Sequence, residues 1–122
     1  MTDKSRAIQK ADKAFSLYIR ARDPRCVTCG SETTDCSHLF RRTHHSTRWN
    51  PANAFGQCRR CHFKHHNQSE SYLHDFARHH LGARKYESLR QLWETVSDFK
   101  VYQLEEIENY FKKLLTSVAN VV

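Results

Sequence analysis

The chain has 122 residues, of which 39% are hydrophobic and 27% are charged, a composition suited to one domain with a modest core. It has no apolar run long enough to cross a membrane, and its N-terminal residues lack the hydrophobic segment of a signal peptide, so we expect a cytoplasmic protein without a membrane partner. The net charge of +7 is uneven: residues 1–68 hold 13 Lys and Arg against 5 Asp and Glu, whereas residues 69–122 hold 7 against 8. A cationic half of this kind favours a polyanion partner, most simply nucleic acid.

Residues 4–22 have the pattern of an amphipathic helix. Apolar side chains recur at intervals of one turn, at Ile8, Ala11, Phe15, Tyr18 and Ile19. The opposite face carries lysines and arginines, which we expect to stay in solvent, although some of them can contact phosphate. Pro24 ends the helix, because proline cannot continue the backbone hydrogen bonding.

Two Cys-x-x-Cys pairs follow, Cys26 with Cys29 and Cys58 with Cys61. In a reducing compartment, paired cysteines are more often metal ligands than disulfides. Four thiols grouped two and two are what a tetrahedral structural zinc ion needs, since each short turn lets two sulfurs approach the same ion. The fifth cysteine, Cys36, is interpreted as a small buried hydrophobic residue.

The segment between the two pairs is longer than in a simple zinc ribbon, because 28 residues separate Cys29 from Cys58. Three segments are predicted in this insert: a strand over residues 35–40, a basic loop over residues 41–50 that is anchored by Trp49, and a short extended segment over residues 54–57. A helix is expected to begin near Cys61 and to place His62, His65 and His66 on one face.

The C-terminal residues, 69–122, have helical patterns throughout. Ser69 is predicted to cap a first helix that runs to about residue 80 and stops at Leu81 and Gly82. A second helix is expected over residues 83–96, with Tyr86, Leu89 and Trp93 facing inward. A third is expected over residues 101–119, with an apolar stripe of Leu104, Ile107, Phe111, Leu114, Leu115 and Val118. This stripe is either core or the surface of a homodimer.

Several side chains between and beside the cysteine pairs could cut a phosphodiester, a reaction that needs a base to activate water and a cation to offset charge on the phosphate. His38 is the candidate base, because its strand would run beside the metal-bearing helix and histidine titrates near neutral pH. Asn53 can hold either the loop backbone or the imidazole in one orientation. His62 can bind the catalytic cation, for which Mg²⁺ and Mn²⁺ are the candidates.

These residues resemble a known nuclease family. His38, Asn53 and His62 occur in the order of the HNH, or His-Me finger, nucleases, with the motifs CVTC and CRRCH around them. The segments AFSLYIRARD, CVTCG, DCSH, RWNPAN and QCRRCH are similar in order and spacing to the phage lambda-type NinG (Rap) recombination nucleases, over roughly residues 15–67. The resemblance implies an α+β fold in a single domain of residues 1–122, with a zinc-stapled ββα-metal core of treble-clef-like HNH type over residues 25–68.

The same resemblance implies a metal-dependent endonuclease that cuts branched DNA of the Holliday-junction or D-loop type, for phage recombination in the cytoplasm of a bacterial host. It assigns Cys26, Cys29, Cys58 and Cys61 to the structural zinc, His38 to the general base, Asn53 to the middle asparagine and His62 to the catalytic cation. Hydrolysis in such a family resembles an in-line attack that leaves a 5′-phosphate.

The sequence departs from the wider superfamily just before the base, where an acidic or histidine ligand is common and Ser37 stands here. Asp35, two residues earlier, is a candidate ligand in its place. His66, one turn after His62, is another, and it can equally be a solvated or phosphate-contacting histidine. No acidic residue lies between Asp35 and Glu70, and DNA contacts are expected from the cations there: Arg41, Arg42, Arg48, Arg59, Arg60 and Lys64.

Two other functions remain open at this point. One is a non-catalytic zinc-stabilised module that binds DNA by charge, which would leave the combination of His38, Asn53 and His62 unexplained. The other is a protein-interaction domain that uses the C-terminal helices, with zinc only stabilising the N-terminal half. A nicking assay on branched and linear DNA distinguishes both from a nuclease.

Overall fold

The computed structural model describes residues 1–67 and 71–121. Seven helical segments and one small sheet occupy these ranges, which confirms the α+β class. In chain order they are α1 (Asp3–Arg22), β1 (Asp35–His38), α2 (His45–Arg48), a 3₁₀ turn (Pro51–Asn53), β2 (Ala54–Gln57), α3 (Arg59–Asn67), α4 (Ser71–Leu81), α5 (Ala83–Trp93) and α6 (Val101–Val121).

Helix α1 agrees with its predicted bounds to within one residue. It begins after Thr2, whose hydroxyl accepts a hydrogen bond from the amide of Ser5 at 3.0 Å. It ends one residue short of Asp23, because Pro24 follows. Its buried stripe is Ala7, Ala11, Ala14, Phe15 and Ile19.

Strands β1 and β2 form an antiparallel pair in which Asp35 lies opposite Gln57 and His38 lies opposite Ala54. The strand predicted over residues 35–40 is therefore two residues too long. The amide of Phe40 bonds to the side-chain oxygen of Asn53 at 2.8 Å and leaves the strand ladder at that point. The loop predicted over residues 41–50 contains the single helical turn α2.

The second strand touches the end of α1 at Gly56. The Gly56 amide donates to the carboxylate of Asp23 at 2.8 Å, and a β-carbon at this position would lie 2.6 Å from the Asp23 carbonyl oxygen. Glycine is therefore required for this close approach. From the same end of α1, the Arg22 guanidinium donates to the carbonyls of Pro51 and Ala54, at 2.9 Å and 2.7 Å. These contacts fix the hairpin against the helix.

Two apolar clusters lie on either side of the hairpin. The first joins α1 and α6 with Trp49 and Ala54, and the second joins α4 and α5 with Leu39 and Phe55. Leu104 and Phe111 of α6 are buried against α1, so the centre of the α6 stripe is core. Because each strand or its flank contributes to both clusters, the hairpin is held between two independently packed helical layers.

The C-terminal helices follow the predicted order with shorter bounds. Ser69, the predicted cap of the first of them, lies outside the described residues. Gly82 separates α4 from α5, and its φ of 84° lies in the left-handed region that favours glycine. Helix α5 ends at Trp93, three residues before the predicted end, and Trp93 is partly exposed. Across the described ranges, no helix has the length and apolar character needed to cross a membrane.

Candidate functional site

The four paired cysteines lie close together, where the turn of residues 26–29 meets the start of α3. The sulfurs of Cys26, Cys29, Cys58 and Cys61 all lie within 4.8 Å of one another, and Cys29 Sγ lies 3.7 Å from Cys58 Sγ. A tetrahedral ion with Zn–S bonds of about 2.3 Å needs sulfurs about 3.8 Å apart. The cluster therefore has the donors and the spacing that could hold a structural zinc ion.

Hydrogen-bond donors surround these sulfurs. The hydroxyl of Thr28 lies 3.3 Å from Cys26 Sγ, and the hydroxyl of Ser31 lies 3.0 Å from Cys29 Sγ. The amide of Cys61 donates to Cys58 Sγ at 3.4 Å. Donors of this kind stabilise thiolates, which are the form that binds metal, and they orient the ligands before the ion arrives.

A cleft of about 520 Å³ opens between α1, β1 and α3. Five predicted site residues line it: His38 from β1, Arg41 and Arg42 from the loop after β1, and His62 and His66 from α3. Its other lining residues are Asp12, Phe15, Ser16, Cys36 and Thr43. The fold therefore brings the candidate base, the candidate cation ligands and two arginines to one opening.

His38 is held on two sides. Its ring stacks on Phe15 with centroids 5.7 Å apart, and its Nε2 lies 2.8 Å from the backbone carbonyl of Arg48. A carbonyl only accepts hydrogen bonds, so Nε2 carries the proton and Nδ1 carries the lone pair in the neutral ring. Burial lowers the pKa of His38 below its ordinary value, which favours this neutral form.

Asn53 is completely buried and holds the loop backbone. Its Oδ1 accepts from the amide of Phe40 at 2.8 Å, and its Nδ2 donates to the carbonyls of Phe40 and Thr47 at 3.0 Å and 3.2 Å. Of the two roles considered for this asparagine, the structure thus places it on the loop and not on the imidazole. It is a positioning residue, because it fixes the loop that carries Arg41, Arg42 and the carbonyl that binds His38.

His62 is paired with Asp35. His62 Nδ1 lies 2.9 Å from Asp35 Oδ2. Burial opposes ionisation of Asp35, but the hydrogen bonds from His62 and Thr34 and the nearby positive charge, including Arg59, together outweigh it and lower the pKa of this carboxyl. The ionised carboxylate accepts the Nδ1 proton, so the lone pair of a neutral His62 ring is on Nε2. An imidazole with its second nitrogen bound to a carboxylate is the usual arrangement of a metal-binding histidine.

The three histidines of α3 do not share one face as predicted. His65 is buried, and its Nε2 lies 2.9 Å from the backbone carbonyl of His38, on the core side of the helix. His66 is exposed in the cleft, with its ring 4.8 Å from that of His62. His62 and His66, which are four residues apart, therefore face the cleft, whereas His65 faces the hairpin.

The predicted DNA-binding cations divide into two kinds. Arg48 is bound by Asp12 of α1 through two hydrogen bonds, at 3.0 Å and 2.6 Å, and is therefore engaged inside the protein. The other five are exposed at the surface: Arg41, Arg42, Arg59, Arg60 and Lys64. Arg59 forms a 3.6 Å ion pair with Asp35, yet its side chain is 85% exposed.

Asp12 is the residue that sequence analysis missed. Besides binding Arg48, its carboxylate accepts from Trp49 Nε1 at 2.9 Å and lies 3.8 Å from the Arg42 guanidinium. These contacts explain how Trp49 anchors the loop, as predicted. The available signal was an acidic side chain inside the cationic face of α1, between Lys10 and Lys13. Its partners are thirty or more residues away in the sequence, so periodicity alone could not identify them.

Cys36 lines the cleft, and the described residues place no group of metal ligands around its thiol. Burial raises its pKa to about 12, and the residue packs against the α1–α6 cluster. Both observations agree with the predicted small hydrophobic role and oppose a nucleophilic one.

Within residues 1–67 and 71–121, the four cysteines are the one group of three or more His, Cys, Asp or Glu whose ligand atoms lie close enough to share a metal ion. His62 and Asp35 are only two such residues, so they do not form a group of this kind. No protein-family model matches the chain, and comparisons with curated proteins and with solved structures found no match. The family assignment therefore stays a prediction from the motifs.

Proposed function

We propose that the protein is a metal-dependent DNA endonuclease in which a zinc-stapled hairpin and helix of HNH type carry the cutting site. The support comes from one arrangement above all: His38 and His62, on different elements, face one cleft with Arg41 and Arg42 at its edge. In each ring, one nitrogen is hydrogen-bonded to a fixed acceptor, which leaves the other nitrogen available to accept a proton or bind a cation. The preference for branched recombination intermediates comes from the resemblance to the NinG (Rap) nucleases.

His38 acts as the general base in this proposal. Because Nε2 donates to the Arg48 carbonyl, Nδ1 takes the proton from the attacking water. The lowered pKa keeps the ring neutral, and thus able to accept a proton, at physiological pH. The Phe15 ring and the Arg48 carbonyl hold the imidazole in one orientation, which preserves its alignment with the phosphate.

His62 Nε2 would hold the catalytic cation, and Asp35 would orient His62 through Nδ1. When bound, a divalent cation offsets the charge on the phosphate and on the departing 3′ oxygen. A site with few protein ligands suits Mg²⁺ or Mn²⁺, because such ions take the remaining ligands from water and the substrate phosphates. Asp35, which is hydrogen-bonded to His62, remains the candidate second ligand, and His66, beside His62 in the cleft, remains the third.

A nicking assay tests the assignment of the base. Wild type and His38→Ala are incubated with branched and linear DNA in Mg²⁺ or Mn²⁺, and His79→Ala, an exposed histidine of α4 outside the cleft, is the matched control. We expect His38→Ala to cost about 10²–10⁴-fold in cleavage with DNA binding retained, the usual worth of a positioned base. Wild-type cleavage by His38→Ala would exclude the assignment.

The same assay tests the cation ligand. His62→Ala should lose activity and recover part of it at high Mg²⁺ or Mn²⁺ concentration, since weaker binding is offset by mass action. The zinc content should stay unchanged, because His62 is not one of the four sulfur ligands. Unaltered metal dependence would move the ligand role to Asp35 or His66.

One observation favours the alternative of a non-catalytic zinc-stabilised DNA-binding module. In the described part of the chain, the cleft holds no preassembled group of three ligands for a second ion. Such a module would bind DNA with the same salt dependence and would cut neither branched nor linear DNA with any divalent cation.

A further inference from the structure

A second cavity, of about 190 Å³, lies on the side of α3 that faces α4, next to the cysteine cluster. Helix α3 forms a wall of both cavities: it presents His62 and His66 to the cleft, and Arg60 and Lys64 to this second cavity. The second cavity is large enough for one nucleobase and too small for a base pair. Nothing in the proposed cutting reaction uses it.

The cavity contains an acceptor that has no hydrogen-bond partner. Gln57 lines it and is 1% exposed. Its Nε2 donates to the Thr28 hydroxyl at 3.1 Å, which fixes the amide, while Oε1 is buried and bonded to no group of the described residues. An orphaned buried carbonyl is costly, so a position that keeps one beside a cavity points to a ligand that donates to it.

The rim of the cavity carries an aromatic ring and two cations. Tyr72 of α4 lines the cavity and is 67% exposed, so its ring is accessible to a ligand there. Arg60 and Lys64 are exposed, and no acidic side chain in the described ranges forms an ion pair with either of them. Their neighbours in sequence are also free of acidic residues from residue 36 to residue 69.

We propose that this cavity is a subsite for one unpaired nucleotide. The base stacks on Tyr72 and donates an exocyclic amine or ring N–H to Gln57 Oε1, while Arg60 and Lys64 contact the flanking phosphates. The subsite rests on the proposed function, and it adds that the preferred DNA has unpaired nucleotides beside the cut. A strand that crosses α3 reaches the subsite and the cleft together, whereas a continuous duplex reaches only the cleft.

Fluorescence anisotropy with a labelled single strand, and with the same sequence fully paired, tests the subsite. The measurement is made without Mg²⁺ or Mn²⁺, so it does not depend on cleavage. Tyr72→Ala should weaken single-strand binding by about 5–100-fold and leave duplex binding within about twofold of wild type, since stacking one base has that worth. Tyr72→Phe should bind as wild type, because the ring is kept. The matched control is Tyr110→Ala, an exposed tyrosine of α6.

Two results would overturn the subsite. Either Tyr72→Ala leaves single-strand binding unchanged, or it weakens single strand and duplex equally. Alanine at both Arg60 and Lys64 gives an independent check, because these cations could simply balance the charge of zinc-bound thiolates. If the double variant loses zinc while binding single strands normally, the cations serve the metal and the subsite is wrong. If the protein binds single strands through Tyr72 but cuts no DNA, the nuclease proposal is wrong and the subsite stands.

Discussion

Truncation of Asn53 to alanine should lower the free energy of unfolding by more than the loss of its buried volume alone would predict. The side chain makes three hydrogen bonds, one to the amide of Phe40 and two to the carbonyls of Phe40 and Thr47. At about 1 kcal/mol each, Asn53→Ala should lower the free energy of unfolding by about 3 kcal/mol, which corresponds to a fall in Tm of about 10 °C. Cleavage measured well below Tm should also fall, because the loop no longer fixes Arg41 and the acceptor of His38.

Denaturant unfolding with zinc present measures the stability change, and Asn109→Ala is the matched control, since Asn109 is exposed on α6. Asn53→Asp is the sharper variant. It keeps the volume and the acceptor for the Phe40 amide, but it places a carboxylate oxygen against two carbonyls, so it should be at least as destabilising. If either Asn53 variant unfolds within about 0.5 kcal/mol of wild type, the loop is held by other contacts and the role assigned to Asn53 is wrong.

Three further predictions follow from the metal cluster, the cleft cations and the base. Chelation of zinc should unfold the hairpin and α3, with far-ultraviolet circular dichroism lost in step with the metal, because a short hairpin and helix cannot bury enough apolar area alone; purified protein without about one zinc per chain would contradict this. Alanine at Arg41 and Arg42 should weaken DNA binding and flatten its salt dependence, whereas alanine at Arg84 and Lys85, exposed on α5, should not; an unchanged slope would place the first pair away from DNA. The rate of cleavage should rise with pH with a midpoint below 6.5, since burial lowers the pKa of His38 and only the neutral ring accepts a proton; a midpoint above 6.5 would oppose His38 as the base.

The pH dependence of stability has the same origin and a definite sign. The folded pKa of His38 is lowered below the ordinary value of 6.5, so the unfolded chain binds more protons at this residue as pH falls. Stability is therefore lost as pH falls below 6.5. Asp35 acts in the same direction at lower pH, because its folded pKa is also lowered, and its contribution is lost as acid protonates it. His38→Ala should reduce the loss between pH 6.5 and the folded pKa of His38.

Sequence reasoning succeeded where a constraint is local. The spacing within each cysteine pair and the one-turn repeat of Ala11, Phe15 and Ile19 predicted features that the structure contains. It was less accurate where the decisive partner is distant. Asn53 ends β1 by capturing the Phe40 amide, and no property of residues 35–40 signals that competition. Likewise, Arg48 has the sequence context of a DNA-binding arginine until the fold places Asp12 beside it.

The two halves of the cleft are supported by different parts of the fold. His38 depends on α1, because Asp12 binds the guanidinium of Arg48 and thereby fixes the residue whose carbonyl holds the imidazole. His62 depends on the cysteine cluster, because Cys58 and Cys61 lie at the start of α3. The hairpin links these two supports, through the pairing of Asp35 to His38 with Ala54 to Gln57. A base and a cation ligand need their separation fixed to within about 0.5 Å, and a two-stranded ladder clamped between two apolar clusters supplies that rigidity with few residues. The short sheet, which contributes little to the core by its length, is therefore the element on which the geometry of the proposed reaction depends.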